Sequence, residues 1–175
     1  MRKSISFLQT VGFTFVSVVG TLLHFLYDWT NQSVVSGLFS AVNESIWEHM
    51  KLLYVPLVAF AIIEYYLLKK NVEYFWCVKL VGIILGLTVI PILYYTYTGA
   101  FGVSADWFNI AIFFISTAIV FISETLLFKH KKHCRFSTKW ALVIIGFIGL
   151  AFLIFTFSPP KIPLFQDPLT GTFGI

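Results

Sequence analysis

Nine consecutive residues, Asn43-Glu44-Ser45-Ile46-Trp47-Glu48-His49-Met50-Lys51, gather two carboxylates, an imidazole and an ammonium in a chain otherwise poor in charge. His24 and Asp28, four residues apart, lie upstream. Two histidines with two or three carboxylates are donor types that hold Zn²⁺ or another divalent ion and leave a position for water. Such a metal would acidify that water and generate a nucleophile. The candidate ligands are His24, Asp28, Glu44, Glu48 and His49. A metal-free version uses Glu48 or His49 as general base beside Lys51, with Glu44 in the same catalytic group. Asn43, Ser45, Trp47, Tyr97 and Asp167, with His24 and Asp28, are the binding candidates.

A plainer reading stands beside this one. Asn43 caps a helix, Glu44 sits near the positive end of its dipole, Glu48 neutralises Lys51, and the histidines bond neighbouring helices. The histidine–glutamate adjacency is not His-Glu-x-x-His, so no known zinc spacing is matched. Glu44, Glu48 and Lys51 would share one helix face, with Ser45 and His49 in a second column about 100° round.

The elements that must position these groups follow from composition. Hydrophobic residues are 58% of the 175, charged residues 11%, and twenty are phenylalanine; mean hydropathy is +0.87. Soluble domains carry about 25% charged residues, so lipid is the expected solvent. Five runs are long enough to span: 5–26, 46–68, 75–95, 108–127 and 140–157. Backbone groups in hydrocarbon must pair internally, which makes the runs helices and the fold class all-α. Pro56 and Pro91 each remove a helix hydrogen bond and predict kinks. The run after Met1-Arg2-Lys3 is too long for a signal-peptide core and reads as a retained span.

Ten of the twelve basic residues fall at one end of these spans, Lys69, Lys70 and Lys79 among them in the loop before the third. The positive-inside rule makes that end cytoplasmic, so the N-terminus is inside and the C-terminus outside. The pI near 9.1 then describes a rim facing anionic lipid, not a nucleic-acid surface. Cys77 and Cys134 fall on the cytoplasmic side, where disulfides are rare, and no disulfide is expected. His130-Lys-Lys-His133-Cys134 reads as a solvated basic loop before it reads as a metal site. Glu64 and Glu124, each five residues from Lys69 or Lys129, are expected to pair at that interface, with a proton relay as the alternative.

Two outer segments add structure. Val34, Val35, Leu38, Phe39 and Val42 give the stretch 32–42 one apolar face, predicting a short interfacial or re-entrant helix. The tail from Ser158 holds Pro159, Pro160, Pro163 and Pro168, so it is not helical. Its Ile162, Leu164, Phe165, Leu169, Phe173 and Ile175 predict a Pro/Gly-rich cap folded on the outer face. The division is a transmembrane domain, residues 1–157, and an extracytoplasmic tail, 158–175.

The strings Gly20-Thr-Leu-Leu-His24-Phe-Leu-Tyr-Asp28-Trp29, Asn43-Glu-Ser-Ile-Trp-Glu-His49, Tyr95-Thr-Tyr-Thr-Gly99 and Phe157-Ser-Pro-Pro-Lys-Ile-Pro163 resemble an uncharacterised family of small membrane proteins of Gram-positive bacteria, a domain of unknown function. The resemblance spans essentially the whole chain. It implies the fold and brings no activity. Three functions stay open: a membrane-embedded hydrolase or transferase on a lipid, envelope or other small-molecule substrate, a small-solute or ion transporter or channel, and a non-catalytic partner subunit.

Overall fold

A computed structural model describes residues 2–68, 72, 74–129, 134 and 136–175, with side chains from residue 5 onward. The loop lysines Lys69, Lys70, Lys131 and Lys132, Arg135, and the His130–His133 metal reading lie outside those residues.

Among the described residues six α-helices follow in order: α1 Arg2–Trp29, α2 Val34–Gly37, α3 Ile46–Leu67, α4 Phe75–Phe101, α5 Asp106–Lys129 and α6 Thr138–Phe157. All but α2 are long and apolar enough to cross a membrane, so the chain is an all-α multi-pass membrane protein. Pro56 and Pro91 sit inside unbroken helices. α3 is the most enclosed and α6 the most exposed. α3 packs against α1, α4 and α6, and α5 against α1 and α4. Leu53, Phe60, Ile83, Val120 and Phe152 fill the shared interior.

Small residues set the helix spacing, as lipid supplies no hydrophobic force between spans. A Cβ on Gly12 would lie 2.5 Å from the Phe121 ring and one on Gly20 2.5 Å from Phe113, which fixes α1 antiparallel to α5. In that register Gln9 is level with Glu124. Gly20 also abuts the Leu52 carbonyl, 2.8 Å from where its Cβ would be. Pro56, having no N–H, leaves that carbonyl without a helix donor, so α1 closes over the gap.

After α1, Asn31 and Gln32 take left-handed φ of 51° and 58°, and their amides return to the Asp28 and Tyr27 carbonyls. The stretch 32–42 holds only the single turn α2. Its small residues Ser36, Gly37, Ser40 and Ala41 are buried, while Val34, Val35 and Phe39 are exposed. The inward face is thus small, not bulky, because a backbone carbonyl there must reach a buried lysine. The tail makes a 3₁₀ turn, Pro163–Phe165, and a bridge between Gln166 and Phe173. It returns to α6 through the Ile175 amide on the Thr156 carbonyl, 3.1 Å.

The expectation of no disulfide is overturned. Cys77 in the first turn of α4 is bonded to Cys134, with Cα atoms 5.9 Å apart. The expectation rested on compartment alone, whereas Val72, Phe75, Val78 and Phe128 pack into a cluster that draws Cys134 onto α4. Closing a loop of 57 residues contributes at most about 4 kcal/mol by the chain-entropy relation. In protein purified without reductant, alkylating reagents should label neither cysteine until reductant is added, and the melting temperature should then fall. Two thiols labelled at once would contradict the pairing.

Candidate metal centre

The N-cap of α3 is Ser45, not Asn43: its hydroxyl accepts from the Glu48 amide at 3.3 Å. Ser45-x-x-Glu48 is a capping-box spacing, the sequence signal for this boundary. Asn43 takes another task. Its Oδ1 accepts from the Ser45 amide at 3.0 Å and its Nδ2 donates to the Gly174 carbonyl at 3.1 Å. Glu44 therefore lies before the helix and does not share a helical face with Glu48 and Lys51. Its amide donates to Asp167 Oδ2 at 3.4 Å. Asp167 is buried and also accepts from the amides of Leu169 and Thr170, at 2.7 and 3.2 Å. The tail thus holds the residue that carries the carboxylate.

Freed from the helix, Glu44 meets two imidazoles. His49 Nε2 is 3.4 Å from Glu44 Oε2 and His24 Nε2 is 3.8 Å from Glu44 Oε1. The rings lie 5.4 Å apart between centroids, and the three donor atoms fall within 4.8 Å of one another. Tetrahedral zinc with bonds near 2.0–2.1 Å separates its ligands by about 3.3 Å, so small side-chain movements close the set. His49 Nδ1 lies 2.9 Å from the Ser45 carbonyl. A carbonyl only accepts, so Nδ1 bears the proton and Nε2 presents its lone pair to the centre. His24 Nδ1 is buried without a partner among the described residues.

Two expected ligands stand apart. Asp28 is exposed and outside the group. Glu48 is 2% exposed and fully engaged: Oε2 with Lys51 Nζ at 2.5 Å and the Val42 amide at 3.2 Å, Oε1 with the Thr156 hydroxyl at 3.0 Å. Lys51 Nζ donates also to the Gly37 carbonyl at 2.8 Å and Thr156 Oγ1 at 2.9 Å. Three N–H bonds meet three acceptors. One ion pair therefore ties α3 to α2, α6 and the segment before α3.

Two other binding candidates pack within the fold. Trp47 lies against Phe152, Phe165 and Phe155 in tilted and edge-on contacts, with centroids 4.5, 4.8 and 5.5 Å away. The buried Tyr97 hydroxyl donates to Asn109 Oδ1 at 2.7 Å and accepts from the Ala105 amide at 3.1 Å, fixing the α4–α5 turn. Beside Glu44 and His49 opens a cavity of about 190 Å³, with Tyr94, Ser104, Asp106 and Asn109 as its other polar lining and Leu169 of the tail at its edge. Liquid water occupies about 30 Å³ per molecule, so the space suits a headgroup-sized ligand. Asp106, in the first turn of α5, was legible only as a helix start.

Breaking a buried pair by removing one partner costs about 3–5 kcal/mol, against about 1 kcal/mol or less for an exposed one. Lys51→Met should thus lower thermal stability severely. Glu48→Gln combined with Lys51→Met should cost less than Lys51→Met alone, because no charge is then stranded. A single-variant loss in the exposed-pair range, measured by thermal unfolding in detergent, would contradict the hub.

A family model described as a family of unknown function (DUF6512) matches residues 2–175, so the chain belongs to that family. No curated protein and no solved structure matches it.

Proposed function

We propose that this member of DUF6512 is a membrane-embedded hydrolase or transferase whose centre is a divalent metal, zinc by donor type, held by His24, Glu44 and His49. The observation that carries the reading is the convergence of these three side chains, from α1, the pre-α3 segment and α3, beside a cavity. Two imidazoles and a carboxylate are the ligand types of catalytic zinc with one position left open. Metal bound there would supply an acidified water. Asp106, which lines the same cavity from the start of α5, is the carboxylate suited to exchange a proton with it. Glu48 and Lys51 act by holding α3, with the hub linking the site to α6.

The substrate is a small molecule or a lipid presenting its headgroup, as a cavity near 190 Å³ is below the usual 300–1,000 Å³ of drug-sized sites. The tail, residues 158–175, serves as the lid or cap, and the exposed Val34, Val35 and Phe39 lie in the headgroup region. The basic-residue bias supports an orientation with this face outside and the N-terminus inside, and the bacterial cell membrane rests on the sequence resemblance. The Gram-positive attribution is supported by the sequence resemblance. A second reading, movement of an ion or small solute, is favoured by a charged centre in the other half of the bundle.

Protein purified in mild detergent and supplied with zinc should retain about one equivalent. His49→Ala and Glu44→Gln should weaken binding 10–100-fold or more, and Asp28→Asn should leave it unchanged. Retention should fall on acidification, because the ligands bind metal only when unprotonated. Wild-type protein that holds no zinc, or variants that hold it as well, would end this proposal.

A further inference from the structure

Toward the α1 N-terminus, away from the metal candidates, four helices each send one polar side chain to a common point. They are Gln9 of α1, Glu64 of α3, Lys79 of α4 and Glu124 of α5, at 3%, 0%, 2% and 0% exposure. Lys79 Nζ lies 2.5 Å from Glu64 Oε2 and 2.6 Å from Glu124 Oε2. Gln9 Nε2 donates to Glu64 Oε1 at 2.6 Å. The rings of Phe60, Phe75, Phe121 and Phe128 stand 5.5–5.9 Å from the ammonium. The interfacial pairing expected of Glu64 with Lys69 and Glu124 with Lys129 gives way to this centre. Lys79, counted with the loop lysines, is inside the bundle one turn into α4.

Two carboxylates face one ammonium. Among the described residues no other charged side chain forms an ion pair with them, and Lys139 at the start of α6 is exposed. An uncompensated negative charge at this depth is costly. One more positive charge is required, and the hydrogen-bond count says where it sits. Glu64 has the Gln9 amide at Oε1 and the Lys79 ammonium beside Oε2. Glu124 has Lys79 at Oε2, but its Oε1 is buried with no donor, as is Gln9 Oε1. The Gln9 amide group lies beside Glu124. A hydroxyl on Glu124 Oε1 supplies the missing donor. A Cβ on Gly82 would sit 2.5 Å from that oxygen, so α4 packs closely against it, and a proton fits there without displacing the helix.

We propose that this centre is a membrane-embedded proton-binding site with Glu124 as the carrier. Release converts the Glu124 carboxyl to carboxylate and hands one proton to water; uptake reverses it. The centre changes by one charge where α1, α3, α4 and α5 meet, so its protonation is coupled to their packing. This is the chemistry of a proton-coupled step, and it stands whether or not the metal reading does.

Infrared difference spectroscopy of lipid-reconstituted protein tests it. At neutral pH the wild type should show one deuteration-sensitive stretch of a protonated carboxyl. The band should vanish in Glu124→Gln, whose amide mimics the neutral acid, with the circular dichroism unchanged. It should vanish also in Glu64→Gln, where one carboxylate on one ammonium needs no proton. Absence of the band from wild type, or its survival in Glu124→Gln, would overturn the assignment. If Glu124→Gln does not fold, the wild-type spectrum and Glu64→Gln decide it alone: a missing wild-type band, or one that persists in Glu64→Gln, overturns it.

Discussion

A buried ammonium must find acceptors, and Lys51 finds three, on separate pieces of chain: Glu48, Thr156 and the Gly37 carbonyl. Much of the tail-bearing end of the molecule follows from that need. Gly37 reaches Lys51 because the inward face of its segment is small: Ser36, Gly37, Ser40 and Ala41 are all buried. Thr156 has one hydroxyl proton, shared between Glu48 and the Phe152 carbonyl, and its own carbonyl receives the amide of Ile175. Gly174, at φ 64°, lies so near that carbonyl that a Cβ would be 2.7 Å away. The tail is thereby seated, and with it Asp167, which holds Glu44.

The metal candidates are a consequence of this scaffold. Buried charge is weak evidence for stability but strong evidence for position, and here it fixes the start of α3 against α6 and the tail. With Glu48 consumed by Lys51, Glu44 is the carboxylate of this segment that meets both imidazoles. The two glutamates, four residues apart in sequence, thus have separate roles. Glu48 fastens the helix, and Glu44, just outside it, faces His24 and His49.

The spans were legible because hydrocarbon imposes long uniform apolar runs, and the polar cluster was legible because ionisable residues at membrane depth stand out. The partners were not. Whether Glu44 or Glu48 joins the histidines turns on where α3 begins, and the cap at Ser45 in place of Asn43 decides it. Lys79 falls within the run beginning at Phe75, yet grouping it with loop lysines hid its role, because linear order does not reveal which helices meet. Thr156 and Gln9, single polar residues in apolar helices, carry no signal of their own in the sequence, yet they belong to the two charged centres. The Cys77–Cys134 bond depends on tertiary distance alone, across 57 residues. The apolar spacing of 32–42 corresponds to a single helical turn, Val34–Gly37, with Val34, Val35 and Phe39 exposed.

X-ray absorption at the zinc edge, on protein loaded with one equivalent, tests most directly whether this buried scaffold presents a metal centre. Two imidazole nitrogens and a carboxylate oxygen around the zinc, with any remaining neighbour a light atom, are the predicted result. Sulfur neighbours, which would place the ion at Cys77 and Cys134, or a spectrum without imidazole scattering, would contradict it.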